Sequence, residues 1–209
     1  MTIDDAENYY EASSDSWERF AWLRARPIAG AETVGLELLQ RMRPFIYMRS
    51  LSTDDLDRFL DIKHEMSLAR KRHGHWNVKV GEGGIRDIEF FVQTLQIVNA
   101  ASHKELQTTN TINIMAGLET AGLITEDEEQ EIYHSYLYLR RLENRLQMID
   151  EQQTHELPDD HSQRLIIARS LAVDNTSDKE VLNYFENELY EHQTLARTFF
   201  DRILPSTSN

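Results

Sequence analysis

The stretch TEDEEQEIYHSYLYLRRLENRLQMIDEQ, residues 125–152, reads as one long helix, and its length decides the fold class. Thr125 followed three residues later by Glu128 is a capping box, in which each side chain takes the other's backbone N–H. Behind it Ile132, Tyr136, Leu139, Leu142, Leu146 and Ile149 recur at three and four residues, which places them on one stripe of a helix. A single apolar stripe needs partners, and the chain supplies them on both sides. Downstream, residues 161–171 form a shorter helix after Leu157-Pro158. Beyond a polar loop at 174–178, the last helix carries Leu182, Phe185, Leu189, His192, Ala196, Phe199 and Ile203 as a packing seam.

Upstream, Asp15 and Glu18 are spaced as a capping box for a first helix over 13–25, with Trp17, Phe20, Ala21 and Arg24 on one face and Pro27 beyond its end. Residues 32–42 turn Leu36, Leu39 and Met42 inward. A further helix opens at Thr53, carries Leu56, Phe59, Leu60, Met66 and Ala69, and ends near Gly74. Residues 77–84 are a short extended stretch and a glycine turn, followed by helices over 85–98 and 110–121, the latter stopped by Gly122. The expected fold is all-α, a bundle of about seven helices with long C-terminal ones and a single extended piece. Trp17, Phe20 and Trp22 are expected to stay partly exposed.

The 209 residues, 40% apolar and 28% charged, are enough for one domain or two small ones. A net charge of −14 opposes binding to duplex phosphates, and it is uneven, −3 over residues 1–100 and −11 over 101–209. Any anion site is therefore expected in the first half. The absence of cysteine excludes disulfides, thiolate metal sites and cysteine nucleophiles. The first residues have neither a basic nor an apolar leader region, and no apolar run approaches the roughly 18 residues of a membrane span, so the expectation is a soluble cytoplasmic protein.

Chemistry concentrates in a few stretches. Gly81-Glu82-Gly83-Gly84-Ile85-Arg86-Asp87-Ile88-Glu89-Phe90 sets flexible backbone at a helix N-terminus, where amides, the helix dipole and Arg86 favour an anion such as phosphate. The alternative is a tight turn that lets the helix pack closely. Arg19, Arg24 and Arg26 sit among aromatics, with Arg19 and Arg26 two turns apart on one face. They are either a cluster that carries chemistry or solvated arginines capping the helix C-terminus. Arg140-Arg141-Leu142-Glu143-Asn144-Arg145 reads as a polar seam that fixes helix register, with Arg141 and Arg145 pairing to carboxylates one turn away. Glu131 with His134, Asp61 with His64, and His73 with His75 have metal-ligand spacings without the further ligands that a centre needs, so no metal site is assigned. His192 reads as a hydrogen-bonded core histidine.

Three of these runs occur together in one family. Residues 83–93 (GGIRDIEFFVQ), 139–147 (LRRLENRLQ) and 150–158 (DEQQTHELP), with Tyr9-Tyr10 and Asp15-Ser16-Trp17-Glu18-Arg19 before them, resemble the bifunctional glutamine synthetase adenylyltransferase/adenylyl-removing enzymes. The likeness thins after about residue 170 and leans to the adenylyl-removing half. It implies a helical bundle over residues 31–209 that follows a nucleotidyltransferase domain, with residues 1–30 as that domain's C-terminal remnant. It implies Mg²⁺ and ATP or ADP in the full enzyme, held by a Gly-Ser motif and an acidic triad that this chain lacks. Hence no catalytic residue is assigned and the chain alone is expected to be inactive. The family reaction is phosphorolytic removal, and in the full enzyme addition, of AMP on a tyrosine of glutamine synthetase under control of PII signal protein. By position in the motifs, Arg19, Arg24, Arg26, Gly83, Gly84 and Arg86 would serve the nucleotide or phosphate, and Asp87, Glu89, Arg140, Arg141 and Glu143 would couple domains or act structurally. A free-standing helical docking module, or part of a PII uridylyltransferase, are the alternatives.

Overall fold

The computed structural model describes residues 2–15, 17–48, 52, 54–55, 57–58, 61, 76–150, 154–171 and 177–204, without the side chains of 149 and 150. The described residues are all-α, as expected. They form eight α-helices: α1 Ile3–Ala12, α2 Glu18–Trp22, α3 Glu32–Arg43, α4 Ile85–Asn99, α5 Thr111–Thr120, α6 Glu126–Asp150, α7 His161–Leu171 and α8 Asp178–Asp201. A π-helical turn, Pro44–Met48, continues α3, and a 3₁₀ turn, Lys104–Leu106, precedes α5. No described helix is long and apolar enough to cross a membrane. The expected helix over 53–74, His64 and the pair His73 and His75 lie outside the described residues, apart from a few positions between 54 and 61.

The chain divides into two units, residues 1–61 with 92–129, and 62–91 with 130–209, so α4 and α6 each contribute to both. In the first, the helix expected over 13–25 is shorter and is preceded by another. α1 starts at a Thr2–Asp5 capping box, a signal that the apolar pattern of 3–12 is too weak to announce. Glu18 does reach back to the Asp15 amide at 3.0 Å, but Trp17 is the N-cap and the reciprocal bond is not made. Arg41 of α3 pairs with Asp4 at 2.7 Å and with Glu7, joining α3 to α1. Met42 is buried as expected, whereas Leu36 is 53% exposed, because the buried face of this segment lies at its end, in Phe45, Ile46 and Tyr47. Phe20 is also buried, against expectation, while Trp17 is exposed and Trp22 stacks edge-on to Tyr10 at 5.0 Å. Ile114, Met115 and Leu118 of α5 complete this core, and Gly122, at φ +68°, ends α5 with the Leu123 amide donating to Leu118 O.

In the second unit the stripe of α6 is buried as read from Ile132 to Leu146, while the Ile149 side chain lies outside the described ones. Ile132, Leu139 and Leu142 have no exposed surface, and each contributes roughly 2 kcal/mol by leaving water. The Thr125–Glu128 box forms at its start. α8 begins with a box of its own, Ser177 with Glu180, and buries Val181, Phe185, Leu189, Ala196, Phe199 and Phe200. Leu182 and Ile203, expected in the seam, are only half-buried; Val181, one residue before Leu182, and Phe200, in the last turn of α8, take the inner places. Arg164 fastens α7 to α8 by donating to Glu186 and to Pro158 O, both at 2.6 Å. The extended piece is one antiparallel bridge, Asn77 with Glu156, and the rest of the stretch is turn.

Candidate functional site

The glycine turn is built by backbone. Val78 N donates to His155 O at 2.8 Å and Leu157 N to Trp76 O at 2.9 Å, so residues 76–78 are held against 155–157. The chain then doubles back, with the amides of Ile85 and Arg86 donating to Val78 O and Lys79 O, each at 2.9 Å. Gly84 N donates to Gly81 O, Asp87 N to Gly84 O, and Gly83 N to the buried carboxylate of Asp87 at 2.9 Å. All five amides of the α4 start are thus engaged within the protein, so they are not the donors that an anion at a helix N-terminus would use. The glycines serve close approach: Gly83 has φ +71° and lies against the backbone of Gln193 in α8, and a Cβ on Gly84 would sit 2.6 Å from Val78 O.

What the turn does place is side chains. The Arg86–Lys79 backbone bond brings these two residues together at the edge of a small ionic network. Glu143 of α6, 6% exposed, receives Arg140 at 2.7 Å, His155 at 3.3 Å and Lys79 at 3.9 Å. Glu89 of α4, 12% exposed, receives Arg86 at 3.3 Å and Arg140 at 3.7 Å. Arg140 also donates to the Tyr136 hydroxyl at 3.3 Å. Burial disfavours its charge, but Glu143, Tyr136 and Glu89 outweigh that and hold its pKa above the ordinary arginine value. The three sequence motifs, 83–93, 139–147 and 150–158, therefore meet here, through Glu89, through Arg140 and Glu143, and through His155.

The expected residues divide. Glu89, Arg86, Arg140 and Glu143 come together. Arg141 is exposed and makes no ion pair among the described residues, and Arg145 turns to Met148 Sδ at 3.7 Å, so the pairing expected of these two falls to Arg140, whose i, i+3 spacing puts it on the face of Glu143. Arg19 is buried, donating to Ile46 O at 3.1 Å. Arg24 donates to Thr109 O and to the Gln93 amide oxygen at 3.1 and 3.2 Å, which ties the exit of α2 to α4 and to the segment before α5. Arg26 is exposed beyond the end of α2, so it shares no helical face with Arg19. Lys79, Tyr136 and His155 were not singled out from sequence as site residues. Tyr136 reads as core, His155 carried no role within its motif, and Lys79 gains its place from a contact across a turn.

His192 is a core histidine as read. Its Nδ1 lies 3.0 Å from Ser135 Oγ, its ring stacks on Tyr138 at 4.3 Å and Glu188 is 3.8 Å from Nε2. Burial lowers its pKa below the ordinary 6.5 and outweighs the raising effect of Glu188 and Glu191. The neutral ring is the folded form, so this contribution to stability is full above pH 6.5 and is lost as the pH falls through the lower folded value. Urea unfolding across that window is expected to show a shallower loss on acidification in His192→Gln than in the unsubstituted chain; equal slopes would contradict the assignment.

A family model described as GlnD PII-uridylyltransferase matches residues 58–204. Bifunctional glutamine synthetase adenylyltransferase/adenylyl-removing enzymes are similar over most of the chain. The enzyme of Xanthomonas campestris pv. campestris (strain B100) is 37% identical over 172 residues, 82% of this chain and 18% of its own length. That of Rhodopseudomonas palustris (strain TIE-1) is 38% identical over 193 residues, 89% of this chain and 19% of its own. That of Bradyrhizobium sp. (strain BTAi1 / ATCC BAA-1182) is 39% identical over 165 residues, 77% of this chain and 17% of its own. The chain thus spans less than a fifth of the length of these curated relatives.

Proposed function

Because the chain belongs to the family described as GlnD PII-uridylyltransferase and shares most of its length with bifunctional glutamine synthetase adenylyltransferase/adenylyl-removing enzymes, we propose that it works as their helical companion domain. It would act beside a nucleotidyltransferase domain in the cytoplasm, where AMP is removed from a tyrosine of glutamine synthetase under PII control. The observation that carries this is the meeting of the three motifs in one ionic network. A network of this kind holds α4, α6 and residues 76–78 and 155–157 in fixed register, as a companion domain needs in order to present a rigid wall to a cleft. In this reading Asp87, Glu89, Arg140 and Glu143 are structural, Arg86 faces the ligand side, and Arg19 and Arg24 brace the first unit. Among the described residues no three of His, Asp and Glu converge on a point that a metal could occupy. They do not fit a Mg²⁺ centre.

The test is ADP release from adenylylated glutamine synthetase in the presence of phosphate. The chain alone is expected to give none, and turnover is expected when a relative's nucleotidyltransferase region is added. ADP release by the chain alone would overturn the proposal. The family model's own description favours a second reading, a domain of a PII uridylyltransferase. Turnover of uridylylated PII, and not of adenylylated synthetase, in the mixed assay would select it.

A further inference from the structure

The ionic network contains more positive than negative charge. Lys79, Arg86 and Arg140 face Glu89 and Glu143, a surplus of one before His155 is counted, within a chain whose net charge is −14. The Glu143 and Glu89 side chains are only 6% and 12% exposed, while those of Lys79 and Arg86 are 35% and 37% exposed, so the surplus is presented at the surface. The cations are also unequal in their bonding. Arg140 donates to the Tyr136 hydroxyl and to the Glu143 carboxylate. Among the described residues neither Lys79 nor Arg86 donates a side-chain hydrogen bond: their closest carboxylates stand at 3.9 and 3.3 Å, and Arg86 Nε is buried with no acceptor. Leaving such donors unmet is costly, and water reaches the exposed ends of both side chains but not that nitrogen.

We propose that Lys79 and Arg86, set side by side by the glycine turn and backed by Arg140, form a binding site for a phosphate group. A guanidinium edge presents two parallel donors and an ammonium a compact point charge, and together they match a tetrahedral dianion with several acceptor oxygens better than a planar monoanion. Glu89 and Glu143 lie beneath and hold the cations in place, so little ordering is needed on binding. The site draws on both halves of the chain, although the overall charge of the second half is unfavourable to anions. This inference stands on the local charge and geometry and does not require the family role proposed above.

The experiment is calorimetric titration of the whole chain with inorganic phosphate, with acetate as the planar carboxylate arm and ADP as the nucleotide arm, together with amide chemical-shift mapping by NMR. Saturable binding with a Kd of about 1 mM is expected, weakening as salt is raised. Lys79→Gln and Arg86→Gln should each weaken it about tenfold, as expected for loss of one charged hydrogen-bonding partner. Arg197→Gln, in a separate pair with Glu82 and Asp201, should leave it unchanged. Shifts in the unsubstituted chain should cluster at residues 79–89 and 140–143, a readout that does not depend on any variant folding. Equal affinity for acetate, shifts confined to other residues, binding untouched by both Gln variants, or no saturation would each overturn the proposal. Binding of ADP through the same shifts would place the phosphate on a nucleotide, and binding of inorganic phosphate alone would identify the free ion as the ligand.

Discussion

Gly83→Ala is expected to lower the stability of the chain by about 3 kcal/mol, and Gly122→Ala by only about 1. Both glycines have positive φ, +71° and +68°, so both substitutions incur the same left-handed strain. Their surroundings differ. A Cβ at Gly122 meets nothing within 4 Å, whereas one at Gly83 collides with the Gln193 carbonyl oxygen and lies 2.9 Å from its carbon and Cα. That neighbour is the backbone of a 24-residue helix and cannot rotate out of the way, so either α8 or the turn has to move. Urea unfolding of the two variants measures the difference directly. Equal losses would mean that the turn yields without α8. Because the turn also sets Lys79 beside Arg86, Gly83→Ala should lose phosphate binding as well.

Glu143→Gln is expected to cost about 2 to 3 kcal/mol, far beyond the roughly 0.5 kcal/mol expected for an exposed acidic residue of the same helix such as Glu131. Glu143 is almost wholly buried and takes Arg140, His155 and Lys79, so its neutralisation leaves three groups around a site with no charge to meet them. The partial exposure of Lys79 and Arg140 lets water relieve some of that, which keeps the estimate below the upper range for a broken buried pair. A double-mutant cycle with Arg140→Met separates the pair from the rest, and a coupling of at least about 1 kcal/mol is expected between residues 2.7 Å apart. Additive losses would show that Glu143 acts through His155 and Lys79 alone.

Much of this was legible in the residues. The stripe of α6, its capping box, the stop at Gly122 and the core histidine on α8 are local patterns, set by helical periodicity and by bonds spanning three or four residues. The motifs that mark the family are also strings in one dimension. Where sequence reading went astray, the deciding neighbour was distant. Leu36 has the spacing of an inward residue, yet the core of that unit formed around Phe45, Ile46 and Tyr47 instead. Arg19 and Arg24 look like surface cations beside aromatics and became internal braces, because carbonyls of Ile46 and Thr109, 27 and 85 residues away in the chain, needed donors.

By itself, then, the sequence determined the all-α class, the main helices of the described chain and the family. Each depends on residues within a few turns of one another, or on their order along the chain. The tertiary structure alone decided that the glycine turn is a packing device with its amides already engaged, and that three motifs, the first of them distant in sequence from the other two, share two carboxylates. It also decided that Lys79, unremarkable in its own stretch, stands next to Arg86. Long-range pairing of charge follows from which backbones meet, and no periodicity in the chain encodes that.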